Sequence, residues 1–213
     1  MVASEIFSEL FVREFLLGRI FIEQVDDLGV NWTAGLMRWA PHRCKENKSY
    51  PLNHLHPFKF DIELPATSKM EGVVVNVHVG FGLHCFTRKI LPGDCESERY
   101  GDDREQRTFC RERYALSKGL RAVVESLKNR QCGFAKDDNY VTVDVTDVPG
   151  QSIRYGVFFN VKRWRERGAS AVLLVVQSAY ALDHGKAAPM QGKIRLNVLL
   201  GHALRGTKPK RGR

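Results

Sequence analysis

Two histidines, His78 and His84, share the stretch HVGFGLHCFTR over residues 78–88, with glycines between them and Cys85 directly after. Imidazoles can ligate a metal ion or move a proton near neutral pH. On a straight strand, six residues at ~3.3 Å each place the two rings roughly 20 Å apart. Donors to one zinc ion must lie within a few Å of each other. The spacing therefore argues against a shared metal and leaves each histidine as a candidate proton carrier. Cys85 has the parity of the valines before it and reads as a small core residue.

A second group, His42, Cys44, His54 and His56, sits in HRCKENKSYPLNHLHPF. Its His-x-Cys and His-x-His pairs would each present one face of an extended chain. Four such donors suit zinc, but their spacing matches no zinc-finger pattern. Leu55 and Pro57 fit an ordinary strand start equally well. No metal is assigned, and whether these four bind zinc is left open. In QSAYALDH, Ser178, Asp183 and His184 lack the sharp Gly-x-Ser-x-Gly turn of a hydrolase nucleophile. GFGLHC lacks the third glycine and the following helix of a dinucleotide loop, and no Walker-type loop is present. Asp102-Asp103 and Asp137-Asp138 lie in turn-like sequence and read as solvated. No cofactor is implied.

The elements that must position these residues are an expected helix over 4–17, a short strand over 19–25 and an irregular, aromatic-rich excursion over 26–60. Alternation of Phe58, Phe60, Ile62 and Leu64 predicts a strand ended by Pro65. Residues 73–87 are the strongest strand, with Val73, Val75, Val77, Val79, Phe81, Leu83 and Cys85 on one parity. Gly80 and Gly82 should mark a bend or bulge. A long charged loop is expected over 88–110, then a helix over about 111–128. Strands are predicted at 140–145, 153–161, 171–182 and 193–200, with a hairpin-like connection at KRWRERGAS. The 171–182 segment is apolar on both parities over 172–176 and should be central. The pattern reads as an α+β domain over 1–204, with a mainly antiparallel sheet and two or so helices packed on one face.

The 213-residue chain carries a net charge of +9. Arg205, Lys208, Lys210, Arg211 and Arg213 supply +5 of it in RGTKPKRGR, so the rest of the chain carries +4. The segment 205–213 is expected to be a disordered tail giving sequence-independent affinity for nucleic acid. Five cysteines without a regular framework favour a reducing compartment. No apolar run approaches the roughly 20 residues of a membrane span, and the start has no basic region before its apolar residues. A cytoplasmic protein without a membrane partner is expected.

The parity opposite the core carries Asn76, His78 and His84 on one strand, Arg154, Asn160 and Lys162 on another, and Lys193, Arg195 and Asn197 on the last. Two readings compete. Such a face is what any antiparallel sheet shows to water. It is also a surface able to grip nucleic-acid phosphates, with Tyr140 or Phe158 stacking on unpaired bases. RNA carries its own nucleophile, the 2′-hydroxyl. His78 or His84 could take its proton, and Arg154 or Arg195 could clamp the phosphate, without a metal. The strand–turn–strand over 153–182 loosely resembles small bacterial toxin nucleases, with no functional motif that transfers. The expected function is RNA contact, with metal-independent cleavage, binding alone, or docking of a protein through residues 30–58 as the competing outcomes.

Overall fold

The computed structural model describes residues 14–15, 19–20, 37–68, 70–102, 104–135, 140–148, 151–183 and 191–210. Glu14–Phe15 pairs antiparallel with Arg19–Ile20, so the end of the segment expected to be helical is extended. The remainder of that segment lies outside the described residues.

One seven-stranded sheet organises the chain. Its strands are β1 (Phe58–Leu64), β2 (Val73–His84), β3 (Gln131–Phe134), β4 (Tyr140–Val148), β5 (Gln151–Glu166), β6 (Ala169–Ala181) and β7 (Gln191–Arg195). The spatial order is β7-β3-β4-β5-β6-β2-β1. Every pair is antiparallel except β6–β2, which is parallel from Ser170↔Val75 to Ser178↔His84. Parallel neighbours need a long crossover. Here the crossover holds β3, β4, β5 and the helices α1 (Arg111–Ser117) and α2 (Leu120–Ser126).

Alternation sets the faces as expected. Val75, Val77, Val79, Phe81 and Leu83 are buried together with Val157 and Phe159 of β5 and with Val172, Leu174 and Val176 of β6. The β6–β2 register slips between Val176 and Ser178. Gly82 lies at that slip, where an added Cβ would stand 2.8 Å from the Gln177 carbonyl oxygen. Backbones approach here more closely than any side chain permits.

Three further expectations are corrected. Residues 193–200 are not one strand: β7 ends at Arg195 and α3 (Leu196–Leu204) begins. Leu196, Leu199 and Leu200 are buried while Val198 is 46% exposed, which is helical spacing that mimics alternation over a few residues. The expected helix over 111–128 breaks at Lys118–Gly119 into α1 and α2. The charged stretch 88–110 is not simply a loop, since Thr87–Arg88, Gln106–Phe109 and Arg99–Gly101 form a small three-stranded sheet. Asp94 ties that region down, accepting from both guanidinium nitrogens of Arg88 at 2.6 and 2.7 Å and from Thr108 Oγ1 at 2.7 Å.

The described part of the aromatic excursion is folded into the core. Trp39 is 2% exposed and its indole N–H donates to the Phe81 carbonyl at 2.9 Å. Leu52 and Leu55 are fully buried. α3 packs against β1, β5, β6 and β7. It closes with the backbone bonds Thr207 N–H to His202 O and Gly206 N–H to Ala203 O, and Gly206 has φ +65°. This is a Schellman stop, which favours glycine at that position.

Candidate nucleic-acid interface

On the face opposite the buried valines, register fixes which polar residues are neighbours. Lys59 of β1 pairs with His78 of β2, His78 with Leu173 of β6, and Leu173 with Lys162 of β5. The next row holds Asp61, Asn76, Ala171 and Trp164. Lys162, Trp164 and Glu166 share the outward parity of β5, one row apart each.

The side chains converge at the end of the β5–β6 hairpin. His78 Nε2 lies 3.0 Å from Glu166 Oε2, and Asn76 Nδ2 donates to the same oxygen at 2.9 Å. His78 is 18% exposed and Glu166 31%. The Trp164 ring lies 5.8 Å from the imidazole. Bonding to His78, then to Asn76, holds the Glu166 carboxyl below its ordinary range, so it is ionised and accepts. The Nε2 atom of His78 then carries the proton of that bond, and in the neutral ring Nδ1 holds the lone pair.

The structure separates the other candidates. His84 pairs with Glu105, whose second oxygen accepts from Arg107 at 3.2 Å. His84 lies in the row of Ser178, away from the His78 row of Leu173. Arg154 is eight residues along β5 from Lys162, about 26 Å at strand rise. Lys193 and Arg195 lie on β7, the opposite edge strand. Five interstrand spacings separate β7 from β2, about 24 Å. Arg195 therefore cannot clamp a phosphate held at His78. Shared parity placed these residues on a face but not in one neighbourhood. Asn197, expected on the same face, lies in the first turn of α3.

Arg205 is the C-cap of α3, and Lys208 and Lys210 follow the Schellman stop and are exposed. Arg211 and Arg213 lie outside the described residues. Of the excursion expected to dock a protein, residues 30–36 lie outside the described residues, and Trp39 is spent on the core.

The group His42, Cys44, His54 and His56 does not converge. His42 is 3% exposed, stacks on Phe109 at 4.2 Å and meets Glu98 at 3.2 Å. His56 reaches the Trp39 carbonyl at 3.4 Å, and the Cys44 thiol reaches the Lys48 carbonyl at 3.5 Å. His54 Nε2 lies 2.8 Å from Ser117 Oγ. That hydroxyl also donates its one proton to the Tyr114 carbonyl at 2.8 Å, so His54 must be the donor in its own bond. With Ser117 fully buried, this pair is a structural tie and not a nucleophile with its base. Among the described residues, no three His, Cys, Asp or Glu side chains are grouped to hold a metal ion. No helix among them is long and apolar enough to cross a membrane.

The YjaZ family matches residues 41–204, more than three quarters of the chain. This protein is a member of the YjaZ family. The YjaZ match begins just before His42 and ends at the last residue of α3, so it takes in all seven strands of the sheet and the His78–Glu166 cluster. No curated protein and no solved structure matches the chain.

Two residues of the cluster, Glu166 and Trp164, are ones that parity over 153–161 passes by. Extending the alternation five residues further, into what reads as a connection, places both on the face of Lys162.

Proposed function

We propose that this protein binds single-stranded RNA on the open face at the end of the β5–β6 hairpin, and that His78 cleaves it without a metal. The supporting observation is the 3.0 Å contact of His78 with the ionised Glu166, in a row flanked by Lys59 and Lys162 and beside Trp164. Trp164 offers a π-face to an unpaired base, a contact worth about 1–3 kcal/mol in comparable sites. Lys59 and Lys162 take the phosphates on either side.

In cleavage, His78 Nδ1 accepts the 2′-hydroxyl proton while Nε2–H remains on Glu166. The 2′-oxygen bonds to phosphorus, and the bond from phosphorus to the 5′-oxygen breaks. The leaving oxygen takes a proton from solvent, and Lys59 and Lys162 offset the charge gathering on the phosphate. The products are a 2′,3′-cyclic phosphate and a 5′-hydroxyl.

The test is end-labelled single-stranded RNA incubated with full-length protein in EDTA and resolved on a denaturing gel. Fragments ending in a cyclic phosphate are expected, with His78→Ala slower by about 10²–10⁴-fold and a 2′-deoxy strand bound but uncut. Binding without any fragments removes catalysis and keeps the binding role. Fragments that survive His78→Ala unchanged refute the assigned base.

A further inference from the structure

The hairpin that carries Trp164 and Glu166 on one face sends Arg163 and Arg165 to the other, because strand residues alternate. On that second face the core runs out. Arg163 pairs with the buried Val172, yet is itself exposed. Beyond it lies a groove of about 730 Å³, between the hairpin end, the start of β2 and the end of α3. Arg163, Arg165, Arg167 and Arg205 line it, as do Met70, Glu71 and, at the hairpin end itself, Trp164 and Glu166.

The groove's four arginines outnumber its two glutamates, Glu71 and Glu166. Glu166 is already held by His78 and Asn76. The excess is cationic, and like charges gathered in a concave site raise the local concentration of anions. Guanidinium forks match phosphate oxygens in shape. Arg205 folds back along α3, so that a Cβ on Gly201 would lie 3.2 Å from its Nη1. That Nη1 meets Met70 Sδ at 4.0 Å, and a thioether is a weak acceptor.

We infer that this groove is a second phosphate-binding site, and that a strand seated on the open face continues around the hairpin tip into it. The inference rests on the RNA-binding reading and adds Arg163 and Arg205 as phosphate contacts that the open face does not supply.

Fluorescence anisotropy with a labelled 12-nucleotide single-stranded RNA, titrated at several salt concentrations, separates the two claims. The proteins compared are the wild type, Arg163→Gln with Arg205→Gln, and Lys59→Gln with Lys162→Gln. Each double variant is expected to bind about tenfold more weakly, with the log–log salt slope reduced by about 1.4 for two lost phosphate contacts. Gly201→Ala keeps every charge but crowds Arg205, and should weaken binding while the fold is retained. If the groove variant and Gly201→Ala bind as the wild type does while the lysine variant is weakened, the groove is refuted and the open face stands. If only the groove variant is weakened, the groove binds RNA, but both the open-face reading and the path of the strand around the hairpin tip fall. No binding by the wild type overturns both.

Discussion

His78 and Glu166, 88 positions apart in the chain, meet at 3.0 Å because β6 lies between β5 and β2 and pairs with both. The contact joins the end of a hairpin to the middle of β2. It leaves a carboxylate ionised and accepting two bonds at one oxygen.

That carboxylate carries a pH signature. The Glu166 pKa is lowered in the fold, first by the bond from His78 and then by that from Asn76. A lowered acid stabilises the fold above its unfolded value near 4.3, and the contribution is lost as pH falls through the folded value. Urea midpoints measured from pH 5 to pH 3 should fall more for the wild type than for Glu166→Gln. Equal slopes would mean that the contact does not form in solution.

A second pH window lies higher. Burial is the main cause that lowers the pKa of His42 and of His54, outweighing Glu98 beside His42. A histidine held neutral in the fold binds its proton more readily when unfolded. Stability is therefore full above about pH 6.5 and declines as pH drops below it. The melting temperature should drop between pH 7.5 and 5.5, and His54→Gln should reduce that drop. A flat profile would contradict the buried placement of both rings.

Trp39 fastens the excursion to β2 through the Phe81 carbonyl and packs edge-on to Phe86 at 5.2 Å. Trp39→Ala should cost about 3–5 kcal/mol by denaturant unfolding. A loss below about 1 kcal/mol, the scale of a surface change, would show that the excursion does not hold the core.

Thiol chemistry sorts the five free cysteines. Cys85 and Cys132 are buried, and burial pushes each thiol up to about 12. Cys95 is exposed, and bonding to Ser97 lowers its pKa. Thiolate character and access together set reactivity. A maleimide time course on native protein, read by mass spectrometry, should label Cys95 well before Cys85 or Cys132. Early labelling of Cys85 would mean the sheet opens at the Gly82 slip.

Much of the sheet was legible because alternation is a local signal. The face of β2, the strand at 58–64 and the central place of β6 all follow from parity and apolar runs. The helix α3 was hidden because Leu196, Val198 and Leu200 alternate by chance, and it is the burial of Leu199 with the exposure of Val198 that separates the two periods. The partnership of the site residues was less visible still. Parity puts His78, Arg154 and Arg195 on polar positions, but strand order decides which of them meet, and strand order is set by long-range pairing. Glu166 was missed for the opposite reason: a charged hairpin end reads as a turn, although the ladder to Ala169 continues through it.

The claim that the hairpin end of the open face receives RNA is tested most directly by zero-length crosslinking. Single-stranded RNA containing 4-thiouridine would be irradiated with the full-length protein, and the adducts located by mass spectrometry. The structure predicts adducts on the segment holding Lys162, Trp164 and Glu166, lost on Trp164→Ala. Adducts confined to residues after Leu204, or to α1 and α2, would contradict it.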